Sequence, residues 1–179
     1  MTANREDRFH ELAEVVYEPL QRFIRRRLAV SDAEEVFDDV LVTIWRRLDD
    51  VPPNGALPWC YGVARRAVAN RQRGNRRRLA LIERIAAQPV PEPLDPTGTA
   101  DDPALADALA ALSEADRQLL MLWAWEGLEP RDMAVVLGIS ANAAALRLSR
   151  ARQKLADRMM RQDRVAAGHR GVKDTGGRR

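Results

Sequence analysis

The chain has few residues able to do chemistry. Its 179 residues include one cysteine, Cys60, and two histidines, His10 and His169. A single cysteine excludes an internal disulfide and fits a reducing compartment. One thiol and two scattered imidazoles fall short of a structural zinc set. Neither histidine stands in a segment able to position a base beside a cysteine nucleophile. No glycine-rich phosphate loop occurs. No apolar run nears the roughly 18–20 residues that span a bilayer, and the polar residues 1–10 lack the apolar core of a signal peptide. The expectation is a cytoplasmic protein that is not an enzyme, with no cofactor, metal site or membrane insertion. Aromatic residues are only 5% of the chain, and alanine, leucine, arginine and glutamate fill the periodic stretches, which favours helices over strands.

Charge is present in quantity but segregated. Net charge is +3 overall, yet counting Arg and Lys against Asp and Glu gives −4 for residues 1–50 and +7 for 51–80. It then gives −7 for 81–116, +3 for 117–160 and +4 for 161–179. Alternating blocks imply separate surfaces with separate partners. The block 51–80 holds seven arginines and no acid. It is a candidate nucleic-acid surface, because neutralising phosphates releases counterions and drives binding.

Periodicity predicts an all-α fold of two small helical domains joined by a flexible, acidic, proline-rich linker. In the first domain, residues 5–80, Leu12, Val15, Val16, Leu20, Phe23 and Ile24 recur at helical spacing. Ser31 and Glu34 have the spacing of a capping box opening a second helix, with Val36, Val40, Leu41, Ile44, Trp45 and Leu48 on one side. Pro52, Pro53, Asn54 and Gly55 break the backbone. A third helix starts near Pro58 and runs into the arginine-rich residues 71–78. Five prolines fall between 89 and 103 beside Asp95, Asp101 and Asp102, marking 81–103 as the linker. In the second domain, 104–160, Ser113 and Asp116 open a helix. Pro130 opens a short one, Gly138 ends it in the left-handed conformation, and Ser140 caps the next. Ala144, Leu148, Ala151, Leu155 and Met159 form that last helix's buried stripe. Residues 161–179 read as an aperiodic, basic, disordered tail.

Two helices joined by a short glycine turn form a helix-turn-helix. With its apolar stripe inward, the second helix turns Asn142, Leu146, Ser149, Arg150 and Gln153 outward, the arrangement that reads base edges in a major groove. Arg147, Arg152 and Lys154 suit phosphates. The motif points to DNA binding without naming the task. A polymerase-independent helix-turn-helix regulator and a helical adaptor with a basic run stay open at this level. The first would need a ligand or receiver domain before the motif, and residues 1–80 lack the strand–helix alternation of a receiver.

The run Arg147-Leu-Ser-Arg-Ala-Arg152 and the helix-turn-helix before it closely resemble region 4 of extracytoplasmic-function sigma factors, a subfamily of the sigma-70 family. The segment from Asp32 to Arg46 resembles the polymerase-clamp-binding helix of region 2 of the same family. Leu57-Pro-Trp-Cys-Tyr-Gly-Val-Ala-Arg65 resembles the start of its promoter-melting helix. The resemblance implies a sigma factor that binds bacterial core RNA polymerase and directs promoter-specific initiation. It implies that Glu34, Glu35, Asp38, Asp39, Leu41, Val42 and Trp45 meet the β′ coiled coil, and that region 4 meets the β flap. For the −10 element it implies Asn54, Trp59, Tyr61, Arg65, Arg66, Arg71, Arg73, Arg76 and Arg77. For the −35 element it implies Arg131, Ser140, Asn142, Ala145, Leu146, Arg147, Ser149 and Arg150. An anti-sigma factor is an implied further partner. The chain departs from common family residues at Asp38-Asp39, where many members have Gln-Glu, at Arg66, where many have Asn, and at Ala145, where a longer side chain is usual.

Overall fold

A computed structural model describes residues 4–86 and 102–171. Among these the elements are seven α-helices and one 3-10 turn, without a strand. They are α1 (Arg5–Arg25), α2 (Val30–Arg46), the 3-10 turn Leu48–Asp50, α3 (Ala56–Ala86), α4 (Pro103–Ala110), α5 (Glu114–Ala124), α6 (Pro130–Leu137) and α7 (Ala141–Gly171). The greater part of the expected linker lies outside the described residues.

The first half assembles around the apolar faces of α1, α2 and α3. Val16, Leu20, Phe23 and Ile24 of α1 are buried, at spacings of three and four that keep them on one side of a 3.6-residue turn. Val15 was expected on that stripe but is exposed, because a residue one step from Val16 points about 100° away. On α2, Val36, Val40 and Ile44 face the same core. The expected Ser31–Glu34 box does not form: the N-cap falls two residues earlier, on Ala29, and no side chain caps the helix. Asp32 in its first turn instead accepts from Arg71 Nη1 at 3.2 Å and Asn75 Nδ2 at 2.6 Å, both on α3. With the helix already running at Ser31, neither Ser31 nor Glu34 stands at its start.

Helix α3 starts at Ala56, two residues before Pro58. A proline there costs nothing, since first-turn amides have no acceptor within the helix. It continues to Ala86, so residues 81–86 belong to a helix and not to the linker. Cys60, Tyr61, Val63, Ala64 and Val68 bury its inner face. Burial raises the Cys60 thiol to about 12, so the thiolate that reacts with reagents is scarce. Dithionitrobenzoate at neutral pH should therefore label the native chain far more slowly than the urea-unfolded chain. Equal rates would place Cys60 at the surface.

The second half follows its punctuation closely. Asp102 caps α4, its carboxylate accepting from the Ala104 amide at 2.9 Å; this helix was not anticipated. Ser113 caps α5 through the Asp116 amide at 3.2 Å. Pro130 sits in the first turn of α6, and Gly138 ends it at φ +67°, a conformation most side chains resist. Helix α7 turns through 104° relative to α6. It stays helical to Gly171, which corrects the expectation of an unstructured tail for residues 161–171. No single helix among the described residues is long and apolar enough to cross a membrane.

The two halves share a core. Helix α3 packs on α1 and α2 from one side and on α6 from the other. Buried residues of both halves, from Val16 to Ala151, form one connected cluster.

Candidate polymerase and nucleic-acid interfaces

Helix α7 presents the face expected of a recognition helix. Ala144, Leu148 and Ala151 are buried, whereas Asn142, Ala145, Leu146, Arg147, Ser149, Arg150 and Gln153 are exposed. Leu146 is 50% exposed, on the outward row of the helix. Ser140 Oγ accepts from the Ala143 amide at 3.2 Å, so this hydroxyl serves the helix start. Arg131 is exposed, its Nε 3.2 Å from Glu129. The remaining cations divide. Arg152 lies over the Trp123 ring at 4.6 Å, and Lys154 Nζ is 2.6 Å from Asp116 Oδ2. The bond from Lys154 is the largest influence holding the Asp116 carboxyl below its usual range. Two of the three cations assigned to phosphates are therefore tied to α5, leaving Arg147 on the open face.

On α2, Glu34, Asp38 and Val42 stand four residues apart along one exposed stripe, flanked by Glu35 and Asp39. Leu41 and Trp45 are half-buried. The Trp45 ring meets Phe9 edge-on at 5.2 Å and lies under the Arg5 guanidinium at 5.4 Å. These two are shared between core and surface. Glu35 is joined to Arg71 of α3, so an acid assigned to polymerase and a cation assigned to promoter DNA here satisfy each other.

The α3 residues separate more sharply. Asn54, Arg66, Arg73, Arg76 and Arg77 are exposed, forming a basic edge. Tyr61 is only 3% exposed, packed on Phe23 with ring centroids 5.1 Å apart. Burial, the largest influence, raises its hydroxyl to about 12. Its expected role as a stacking platform for a base is not available in this arrangement, because the ring completes the core. Trp59 is half-buried against the core, with the Arg47 guanidinium 5.2 Å from its ring. Arg65 donates to Gln118 of α5 at 3.2 Å, and Arg71 is taken up by Asp32 and Glu35.

Sequence reasoning missed one group altogether. Arg27, at the end of the first helical hairpin's inner turn, donates from Nη1 to Glu126 Oε1 at 2.9 Å and to the Phe23 carbonyl at 2.8 Å. The guanidinium also covers the Phe23 ring at 3.6 Å. Arg26 donates to the Trp125 carbonyl at 3.2 Å and reaches Glu126 at 3.6 Å. The available signal was the run Arg25-Arg26-Arg27 inside the otherwise acidic block 1–50. Nothing in the sequence named its partner 99 residues away.

Residues 103–155 match the family model described as sigma-70, region 4. The chain is 28% identical over 148 residues to a protein named probable RNA polymerase sigma factor RfaY from Xanthomonas campestris pv. campestris, covering 78% of this chain and 37% of that relative. It thus spans little more than a third of that protein's length. It is 25% identical over 134 residues to RNA polymerase sigma factor NccH of Alcaligenes xylosoxydans xylosoxydans, covering 70% of this chain and 72% of the other. Among solved structures, the sigma factor RpoE in complex with the anti-sigma factor NepR from Bartonella quintana superposes with a TM-score of 0.62 at 21% identity, over 85% of this chain and 96% of that one. CnrH, in complex with the cytosolic domain of CnrY, superposes at 0.58 and 24% identity, over 87% and 89%. At these identities the superpositions establish a common helical fold. The exposed recognition face, the region 4 match and the named relatives agree: residues 103–155 match sigma-70 region 4, and over most of its length the chain is similar to RNA polymerase sigma factors.

Proposed function

We propose that this chain is a promoter-specificity subunit, which binds core RNA polymerase, opens DNA at the −10 element and reads the −35 element. The observation that carries the proposal is the face of α7: an exposed row from Asn142 to Arg150 on a capped helix, within the segment matching region 4. The exposed stripe Glu34, Asp38 and Val42, with Asp39 beside it, takes the β′ coiled coil. Region 4 takes the β flap. The edge formed by Arg66, Arg73, Arg76 and Arg77 tracks promoter phosphates, and the loop at Asn54 with Trp59 captures an unstacked base. Asn142, Ala145, Leu146, Ser149 and Arg150 face the −35 bases, with Arg131, Ser140 and Arg147 at the flanking backbone. On this reading the protein catalyses nothing itself and works in the cytoplasm beside the polymerase. The anti-sigma complexes of its structural relatives make a protein inhibitor a further proposed partner.

Run-off transcription with core polymerase on a promoter library tests the proposal. The expected result is a set of transcripts sharing spaced −35 and −10 sequences, absent with core enzyme alone. Stable core binding without specific transcripts, or no core binding, would remove the sigma reading. DNA binding without core enzyme dependence would favour an independent helix-turn-helix regulator.

A further inference from the structure

The beginning of α7 differs in chemistry from the rest of that helix. From Ala141 to Leu146 the residues are Ala, Asn, Ala, Ala, Ala and Leu, without a charge, and the first cation on the helix is Arg147. Ala144 is buried, whereas Asn142, Ala145 and Leu146 are exposed. The other polar side chain at this end, Ser140, already accepts from the Ala143 amide. Beyond Arg150, Arg152 and Lys154 are turned to Trp123 and Asp116 of α5. A recognition helix meets base edges mainly through its N-terminal residues. In this chain those residues offer one carboxamide and two apolar side chains.

The chemistry of the major groove narrows what such a surface can read. Of the four bases only thymine carries an alkyl group there, its C5 methyl; the others are told apart by hydrogen-bonding atoms. An apolar side chain gains by covering that methyl. Set against a polar edge, it removes water from a donor or acceptor and supplies nothing in its place, which costs free energy. The Asn142 carboxamide has the paired donor and acceptor that match N6 and N7 of adenine. Four residues of helix rise about 6 Å, so Asn142, Leu146 and Arg150 stand at successive levels along one line. Arg150 is the first of the three able to grip a guanine. We propose that α7 reads an A·T core by methyl contact: Leu146 and Ala145 cover thymine methyls, Asn142 pairs with a neighbouring adenine, and guanine is read only at the Arg150 end of the face. The location of this core within a −35 element rests on the sigma reading; the base chemistry rests on the helix face.

The test selects promoters from a randomised library with the full chain and core polymerase, then replaces each −35 thymine in turn by deoxyuridine. Deoxyuridine pairs as thymidine does and lacks only the methyl. At one or two positions the replacement should weaken binding about 4-fold, the fold-change that corresponds to about 0.8 kcal/mol for one buried carbon group. Deoxyuridine in the spacer should change nothing. In Leu146→Ala the penalty at one of those positions should vanish. Stiff A·T runs can also favour binding, but that preference belongs to the DNA and would persist in the variant. Binding insensitive to deoxyuridine at every −35 position overturns the proposal, and so does a folded Leu146→Ala protein that keeps every penalty. The deoxyuridine series uses the unaltered chain, so it decides even if the variant misfolds. Selection that proceeds equally without core enzyme would count against the sigma reading, and the same series on that DNA would still decide the methyl contact. Selection of no sequence, with core enzyme or without it, overturns both.

Discussion

Replacing Arg150 by Ala should lower transcription from a cognate promoter about 10- to 100-fold while leaving affinity for core polymerase unchanged. The side chain stands on the exposed face of α7, four residues beyond Leu146 and eight beyond Asn142, so the three share one line along the helix. An arginine in that position can donate two parallel hydrogen bonds to a guanine edge, worth about 1–3 kcal/mol of discrimination. Every 1.4 kcal/mol is a factor of ten, which sets the range. Core binding is spared because the proposed β′ surface lies on α2 in the other half and Arg150 stands on the DNA-facing row of α7, not on a surface assigned to the polymerase. Two measurements decide it: run-off yield across promoters mutated base by base, and sedimentation of the variant with core enzyme. Relaxed preference at one −35 position with normal sedimentation is the expected pair. A uniform loss over all sequences would make Arg150 a phosphate contact, and loss of core binding would place its role elsewhere.

The largest effect on stability should come from Phe23→Ala. Phe23 is 2% exposed and lies where the halves meet, with the Tyr61 ring on one side and the Arg27 guanidinium on another. Truncating a buried phenylalanine to alanine costs about 3–5 kcal/mol, from lost burial and from the cavity left behind. Here the ring also supports a buried cation, so the cavity adjoins a charge that needs its position held. For a chain of this size each kcal/mol lowers Tm by roughly 2–4 °C. A fall on the order of 10 °C is therefore expected in thermal unfolding followed at 222 nm. A change below about 2 °C would mean that the ring is replaceable and the core is centred elsewhere. Val15→Ala is the natural control: it is exposed on the same helix and should leave the midpoint within experimental scatter.

Local signals were legible where the physics is local. Pro130, Gly138 and Ser140 marked the boundaries of α6 and α7, and Ser113 the start of α5, because proline geometry, a left-handed glycine and a capping hydroxyl act within a few residues. The outward row of α7 followed from helical period alone. The same reasoning failed at Ser31, because the helix begins at Val30 and leaves the hydroxyl inside its first turn. It failed at residues 161–171, where low apolar content hid a continuing helix. Nor could it show that Tyr61, Arg65 and Arg71 have partners within the chain, since an aromatic ring or a guanidinium looks equally ready for DNA or for a neighbouring helix.

From the sequence alone came an all-helical chain with a helix-turn-helix, a segregated basic stretch and two family-like segments in order, since period, capping and charge are written residue by residue. The tertiary structure decided which of those charges are available. Lys154 is bound to Asp116, Arg71 to Asp32 and Glu35, and Arg27 to Glu126 across 99 residues of chain. A side chain's partner depends on where the backbone brings distant segments, and for Arg27 and Glu126 burial then makes the pairing too costly to exchange.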